Sequence, residues 1–220
     1  VAEAPPGDGG TLTRPVSWWK FDESTGATSA SDSADGNVLV LSGYPSFSVG
    51  KVGNALSVND VGVNGMYAKN YTQISNLQLT GDLSLEALIN LNSLPTLTNA
   101  YIIREFDSTK INYGLRIDTS GKVIFYYTGI SVITSSNPIS IGTWYHIVAV
   151  KSGSTFILYI NNVNVGSGTS LEVPIYQSDS LQIGRIENGL TDEVAIYDKA
   201  LSEVEISAHY TNSSVGRTYY

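Results

Sequence analysis

The chain has 220 residues with a formal net charge of −8, and 42% of its residues are hydrophobic against 15% charged. This balance is typical of a globular domain and excludes a disordered chain. Its twelve Lys and Arg residues are scattered singly, which argues against a nucleic-acid partner, and no apolar run reaches the roughly 18 residues that a membrane-spanning helix needs.

The Pro/Gly-rich residues 1–14 predict a leader or linker ahead of the folded part. The chain begins at Val1, which fits removal of a signal segment and a secreted or cell-surface location. From Val16 onwards, short apolar or alternating runs separated by turn residues predict β-strands. The predicted strands are residues 16–21, 38–41, 55–58, 83–91, 101–106, 113–118, 122–127, 144–151, 156–160, 181–186 and 193–197.

Frequent turns between these runs favour antiparallel pairing, so we predict an all-β fold of two antiparallel sheets with one short C-terminal helix. Asn161 and Asn162 tolerate the positive φ angles of a two-residue hairpin. The folded domain is predicted to span residues 15–211, followed by a tail at 212–220.

The predicted helix covers residues 203–210. Ser202 followed by Glu205 forms a capping box at its start. Val204, Ile206 and Tyr210 are expected to face the sheet.

Pairs of carboxylates are candidate glycosidase machinery, because the retaining mechanism needs two carboxyls about 5 Å apart. Glu105 with Asp107 and Glu203 with Glu205 are each two positions apart, but neither pair belongs to a Glu-x-Asp-x-x-Glu array. The sequence therefore predicts a protein that is not an enzyme.

The two histidines, His146 and His209, stand alone in the sequence, and no Ser or Asp arrangement around them suggests a catalytic triad. The absence of Cys also excludes a cysteine nucleophile and any disulfide. We expect His146 to be a packed strand residue.

Acidic residues cluster near the end of the first predicted strand. Asp22 and Glu23 are followed by the loop DSADGN at residues 32–37, whose alternating oxygen side chains and glycine suit a calcium ion. The spacing is not that of an EF-hand. Turn formation explains the same residue types without any ion.

Several segments, in order, resemble the laminin-G-like, concanavalin-A-like (jelly-roll) domain family of exported proteins. They are WKFDE at 19–23, GNAL at 53–56, LSLEA at 83–87, GTWYHIVAV at 142–150, LYIN at 158–161, LQIG at 181–184 and DEVAIYDKALS at 192–202. Together they cover about residues 16–210. The chain departs from the family at Leu88, where an aromatic residue is usual, and at Asn162, where glycine is usual.

The resemblance implies a jelly-roll sandwich with a structural calcium ion that joins the N-terminal loop to the last strand. By position, its ligands would come from Asp32, Asn37 and Asp192, with Asp22 as a further candidate. The alternative is that Asp192 is a cap or an ion-pair partner.

Carbohydrate binding would need exposed aromatic side chains beside polar groups. Strand alternation predicts that Trp18 points outward if Trp19 points inward, and Tyr126 or its neighbour Tyr127 is expected on an outer face. Trp18 and Tyr126 are therefore the candidate ligand-binding residues, although a tyrosine on a sheet is more often packed in the core.

Two functions remain open at this point. The first is a non-catalytic extracellular carbohydrate-binding or adhesion module that contacts a glycan or cell-surface polymer. The second is a self-assembling subunit of a surface fibre or pilus, in which extended termini contact copies of the same chain.

Overall fold

A computed structural model describes residues 13–60, 66–70, 74–97, 100–107, 110–176 and 180–219. Within them, every strand pairs antiparallel with its neighbours in two eight-stranded sheets, as predicted. The predicted leader lies outside the described residues except for Thr13 and Arg14.

The first sheet contains β1 (Ser17–Trp19), β4 (Ser46–Val49), β5 (Asn54–Asn59), β7 (Leu83–Leu91), β12 (Trp144–Ser152), β13 (Thr155–Ile160), β14 (Val163–Thr169) and β16 (Asn188–Tyr197). The second contains β2 (Ser29–Ala30), β3 (Leu39–Ser42), β6 (Tyr67–Asn70), β8 (Ala100–Phe106), β9 (Ile111–Ile117), β10 (Val123–Tyr127), β11 (Ile130–Thr134) and β15 (Ser180–Arg185).

The strand order of the first sheet is β14-β13-β12-β7-β16-β5-β4, and that of the second is β11-β10-β9-β8-β15-β6-β3-β2. One edge of β16 has two partners: β5 pairs with residues 188–191, and β1 pairs with residues 194–196. Asp192 and Glu193 lie between these two pairings, at a β-bulge where Glu193 has a φ of 49°. The bulge places two carboxylates at a gap in the sheet edge.

The main core lies between the sheets and follows strand alternation. On β7, Leu85, Ala87 and Ile89 belong to this core, whereas Glu86 and Leu88 point to the outer face of the first sheet. Those outer-face residues are buried as well, because a second apolar cluster covers them. Both faces of the first sheet therefore bury apolar side chains, and this burial stabilises the fold.

The cover of the first sheet consists of the helix α1 (Glu203–Ser214) and the residues that follow it. The predicted capping box is confirmed, because Ser202 and Glu205 exchange side-chain to backbone hydrogen bonds. The helix is one turn longer than predicted, and Val204 does not face the sheet, since 76% of it is exposed. Ile206 is buried, as predicted, and His209 is buried where Val204 was expected to be.

The C-terminal tail packs back onto the domain as far as it is described. Tyr219 is buried, its ring stacks at 6.4 Å on Trp18 and at 5.2 Å on His209, and its carbonyl accepts a hydrogen bond from Asn212. The extended N-terminus was predicted to contact other copies of the chain. Its residues 1–12 lie outside the described part of the chain.

The predicted strands are all present, with ends shifted by up to five residues, and the hairpin at Asn161 and Asn162 is confirmed by their φ angles of 50° and 63°. Five strands are missing from the predicted list: β2, β4, β6, β11 and β14. The Asn161–Asn162 hairpin implied β14, and the other four are short and lie towards the sheet edges, where one side is exposed and alternation is weak. The helix α1 is too short and too polar to cross a membrane, and no other helix in the described ranges could do so.

Candidate functional site

The outer face of the second sheet carries a group of aromatic rings. On β10, Phe125 and Tyr127 belong to the core, so Tyr126 between them points outward and is half-buried. Rings on this face are contributed by β6, β8 and β10; they are Tyr67, Tyr101, Phe106 and Tyr126. The helix α1 packs on the first sheet, against β12, and so does not cover this face. Tyr67, Phe106 and Tyr126 are half-buried there, and Tyr101 is buried.

Four cationic side chains lie among the rings. The guanidinium carbon of Arg104 is 3.9 Å from the ring centre of Phe106 and 4.7 Å from that of Tyr101. That of Arg116 lies 4.8 Å from the ring centre of Tyr126. Around Tyr67, the ammonium of Lys69 and the guanidinium of Arg185 lie at 5.5 and 6.0 Å. We call this surface the aromatic–basic face; its members are Tyr67, Lys69, Tyr101, Arg104, Phe106, Arg116, Tyr126, Gln182 and Arg185.

Register aligns part of the face into one row. Tyr126 pairs with Gly114, Gly114 with Arg104, Arg104 with Gln182, and Gln182 with Lys69. These residues come from five adjacent strands, so at about 4.8 Å per strand the row spans roughly 19 Å. The row is long enough to contact an extended ligand at several points.

Gly114 makes a shallow place in the middle of this row. A Cβ atom at that position would lie 2.6 Å from the carbonyl oxygen of Ile103, which is backbone and cannot move aside cheaply. The surface between Tyr126 and Arg104 is therefore kept low by a residue without a side chain.

Arg104 is the most constrained cation of the face. It donates a 2.5 Å hydrogen bond from Nη2 to Oε1 of Gln182, and Nε is buried without a hydrogen-bond partner. Burial lowers the pKa of Arg104, and the nearby charge of Arg185 lowers it further. The guanidinium nevertheless stays charged, because arginine does not lose its proton in proteins.

Carboxylates are scarce on the second sheet. Its described strands contain a single acidic residue, Glu105, and that residue pairs with Tyr113 and Leu181, both of which belong to the core. Glu105 thus points away from the aromatic–basic face. Asp118, in the turn after β9, is the acidic group next to Arg116. Burial raises the pKa of Asp118, but hydrogen bonds from Ser120 and Lys122 and the charge of Arg116 outweigh it and lower the pKa.

The two candidate ligand-binding residues lie on opposite outer faces. Tyr126 belongs to the aromatic–basic face, whereas Trp18 lies on the outer face of the first sheet. There the indole Nε1 donates a 2.8 Å hydrogen bond to Glu193, the ammonium of Lys20 lies 4.3 Å from the ring, and Tyr219 stacks on it. Trp18 is therefore held by its own chain and cannot share a ligand with Tyr126.

Asp22 and Asp192 meet at the turn between β4 and β5. Oδ2 of Asp192 accepts hydrogen bonds of 2.9 Å from the backbone of Lys51 and of Val52, and Oδ1 of Asp22 accepts one of 2.8 Å from Asn54. This turn can approach so closely because glycines stand at 50 and 53, where any Cβ would collide with one or the other carboxylate. The first and last strands are joined here through the turn.

Burial and like charge dominate the electrostatics of this acidic end, although the charge of Lys20 acts in the opposite direction on Glu193. Burial raises the pKa of Asp192 to about 7, and the charge of Asp22 adds to the rise. Burial likewise raises the pKa of Glu193 to about 8, and the charge of Asp192 acts in the same direction. Oδ1 of Asp192 and Oε1 of Glu193 are buried without a hydrogen-bond partner.

Asp32 and Asn37 organise the N-terminal loop. Oδ1 of Asp32 accepts 2.8 Å hydrogen bonds from the backbone of Trp18 and Ala34, and Oδ2 accepts one of 3.2 Å from that of Asn37. The amide of Asn37 donates to the hydroxyl of Ser17. The structure thus pairs Asp32 with Asn37 and Asp22 with Asp192 as two separate arrangements.

The family model of the concanavalin A-like lectin/glucanases superfamily, in its laminin-G form, matches residues 64–207. The chain belongs to this superfamily. The resemblance noted in the sequence is thereby confirmed, and with it the fold class. No curated protein sequence gives a significant match.

Several solved structures share this fold at low sequence identity. A Trypanosoma rangeli sialidase in complex with the inhibitor DANA is 13% identical with a TM-score of 0.65; the match covers 92% of this chain but only 33% of the sialidase chain. Domain 4 of AbnA, an extracellular arabinanase from Geobacillus stearothermophilus, in complex with arabinotriose, is 19% identical with a TM-score of 0.65. That match covers 90% of this chain and 98% of the arabinanase domain.

The binding domain of Paraclostridial Mosquitocidal Protein 1 is 17% identical with a TM-score of 0.68, and the match covers 90% of this chain and 51% of that one. At these identities the likeness establishes the fold alone. This superfamily member spans about a third of the sialidase chains that it matches.

The chemistry of the acidic end fits a hard cation, because carboxylate oxygens are the ligands that calcium prefers and two of them are buried without partners. In the described ranges, no group of three or more His, Asp or Glu side chains is already gathered as a metal site. Backbone carbonyls or water would have to complete the coordination.

Sequence reasoning missed the cations of the aromatic–basic face. Alternation in β8 and β9 would have placed Arg104 and Arg116 on an outer face, but their contacts with Tyr101 and Tyr126 depend on which strands pair. His146 is a buried strand residue, as predicted, but the sequence did not show that His146 and His209 both contact Glu86.

Proposed function

We propose that this superfamily member is a non-catalytic, extracellular carbohydrate-binding module. One observation carries the proposal: a row of one aromatic ring and three hydrogen-bonding side chains crosses five adjacent strands of the sheet that α1 does not cover. Tyr126 stands at one end of this row. Sugar rings bind to such surfaces through aromatic side chains flanked by polar groups.

The matched structures support a binding role without deciding it. Domain 4 of the extracellular arabinanase is in complex with arabinotriose, and this chain covers 98% of that domain. The extracellular location proposed for the present chain rests on this likeness.

The distribution of carboxylates supports a non-catalytic role. Glycoside hydrolysis uses two carboxyls that flank the scissile bond. On the described strands of the second sheet the only acidic residue is Glu105, and it points to the core. A glycan that lies along the aromatic–basic face would therefore meet no such pair on these strands.

We also propose a structural calcium ion at the acidic end, held by Asp192 and Asp22. The buried Oδ1 of Asp192 supports it, as does the crowding of negative charge that raises the pKa of Asp192. A cation there would stabilise the contact of β16 with the turn between β4 and β5. Asp32 and Asn37 would then not contact the ion directly; they would stabilise the loop that contacts β1.

Binding to immobilised polysaccharides tests the main proposal. The purified chain should be retained by at least one glycan, and Tyr126→Ala should weaken that retention by roughly tenfold, as the loss of one stacking contact would. Tyr44→Ala is the matched control, because Tyr44 is 95% exposed and lies outside the face. Failure of every neutral and charged polysaccharide to retain the chain would refute the function.

A further inference from the structure

We propose that the ligand of the aromatic–basic face is an acidic glycan, one that bears carboxylate or sulfate groups. This inference rests on the carbohydrate-binding function proposed above and specifies its ligand class. It comes from the charge of the face and from the way in which its rings are already occupied.

The charge of the face is opposite to that of the whole chain. The chain has 20 acidic and 12 basic residues. Yet the described strands of the second sheet carry four cations, Lys69, Arg104, Arg116 and Arg185, against one carboxylate that faces the core. Asp118, in the turn after β9, is the acidic group beside Arg116. A positive surface on an acidic protein needs a local reason, because solubility alone favours spreading the charges.

The cations also cover the rings. Arg104 lies over both Phe106 and Tyr101, and Arg116 lies over Tyr126, at 3.9, 4.7 and 4.8 Å. A neutral sugar stacks on a bare aromatic ring, whereas here a guanidinium occupies a face of each of these three rings. What the surface presents to a ligand is therefore an array of N–H donors on aromatic supports.

Guanidinium groups held in this way are suited to anions. The planar fork of arginine donates two parallel hydrogen bonds to a carboxylate or sulfate, and such charge-assisted bonds are about twice as strong as neutral ones. Arg104 is positioned in advance by its bond to Gln182, so little rotamer entropy is lost when a ligand binds. Lys69, two strands from Arg104, extends the donors along the row.

Like charges held close together also favour an anionic ligand. Arg185 pairs with Tyr101, over whose ring Arg104 lies, so the two guanidiniums are near each other. Burial lowers the pKa of Arg104 and the charge of Arg185 lowers it further, as expected for like charges that repel. An anion between them relieves this repulsion. A neutral sugar would leave it in place.

Matched polysaccharides test the class of ligand by affinity electrophoresis or calorimetry. Dextran sulfate is compared with dextran, and polygalacturonate with its methyl ester, so that each pair shares a backbone and differs in charge. We expect the charged member of at least one pair to bind at least tenfold more tightly. Binding should weaken as NaCl rises from 50 to 500 mM, because salt screens charges over a Debye length of roughly 10 Å at 0.1 M and less at higher concentration. The two pairs distinguish sulfate from carboxylate.

Charge-matched variants locate the binding. Arg116→Gln with Arg185→Gln removes two charges from the face, and the control, Lys199→Gln with Arg217→Gln, removes two exposed charges elsewhere. The first should weaken binding of the acidic glycan at least tenfold and the second less than twofold. Arg116→Lys with Arg185→Lys keeps both charges but loses the planar guanidinium forks. We expect this variant to bind with an affinity between those of the wild type and the double Gln variant, which separates the effect of charge from that of geometry. Thermal midpoints check that all three variants fold.

The outcomes separate this inference from the proposed function. Tighter binding of a neutral member, with loss of binding in Tyr126→Ala, overturns the acidic ligand and leaves carbohydrate binding intact. Equal binding of single-stranded DNA and the acidic glycans also overturns it, because the face would then take any polyanion. No binding to any polysaccharide overturns both.

Discussion

Nε2 of His146 lies 2.6 Å from Oε1 of Glu86 on the outer face of the first sheet. Nδ1 of His209 lies 3.1 Å from both oxygens of the same carboxylate, and the hydroxyl of Tyr197 donates a 2.6 Å hydrogen bond to Oε2. All of these groups are buried. One carboxylate therefore joins β7, β12, β16 and the helix α1.

Glu86→Gln should destabilise the fold by about 3 kcal/mol, because an amide cannot accept all the hydrogen bonds that the buried carboxylate receives and leaves buried polar groups without partners. The lost contacts hold α1 to the sheet, so the helix should detach more readily. Urea denaturation measures the loss, and Glu172→Gln, at an exposed position, is the control that should change stability by less than about 0.5 kcal/mol. A Glu86→Gln protein as stable as the wild type would contradict the role of this network.

Acid should remove the same contribution. Burial alone would raise the pKa of Glu86, but hydrogen bonds from His146 and His209 outweigh it and hold the pKa at about 2, below the ordinary 4.5. A carboxylate with a lowered pKa contributes stability above its unfolded value, and that contribution is lost as the pH falls from 4.5 towards 2.

The stability difference between the wild type and Glu86→Gln should therefore shrink on acidification, by about 3 kcal/mol at most for a shift of this size. Paired urea titrations from pH 6 to pH 2.5 would measure it. A difference that stays constant over this range would mean that Glu86 is not the titrating group.

Tyr219→Ala should destabilise the domain by about 3 kcal/mol, the usual cost of removing a buried aromatic side chain. Only 1% of Tyr219 is exposed, and its ring lies between Trp18 and His209. The tryptophan fluorescence of the native state should also change, because Trp18 loses its stacked neighbour. Val215→Ala, at a residue that is 66% exposed, is the control.

Much of the fold was predictable because local patterns of apolar and turn residues determine where its strands begin and end. The long central strand β7 was predicted to the residue, since its apolar run is bounded by turn residues on both sides. The strand β11, ISVIT, was not, because it lies at an edge and exposes Ile130. Val204 was assigned to the buried side of α1 from its apolar character alone, and the helix ends up turned so that His209 is buried instead.

The site was predictable only in part, for a different reason. Tyr126 could be placed on an outer face from the sequence, because Phe125 and Tyr127 are its immediate neighbours. Its relation to Arg116 depends on the register of β9 with β10, and Gly114 becomes meaningful only beside Arg104. Likewise Glu86, His146 and His209 are separated by 60 and 63 residues along the chain, and no local pattern joins them.

The calcium proposal predicts that the thermal midpoint of the wild type is higher in calcium than in excess chelator. An ion bound only to the native state stabilises it by mass action, by about 2.7 kcal/mol at a free concentration 100 times the dissociation constant. Asp192→Asn should abolish this difference, because the residue supplies the buried oxygen that has no other partner.

The readout is the difference between the two conditions for each protein, so any effect of Asp192→Asn on stability itself cancels. Asp198→Asn, at an exposed position six residues along the chain, should respond to calcium like the wild type. Equal midpoints of the wild type in calcium and in chelator, with no calcium found by metal analysis, would show that the acidic end holds no ion. The raised pKa of Asp192 would then mean that its carboxyl is partly protonated near neutral pH, which by itself relieves the repulsion from Asp22.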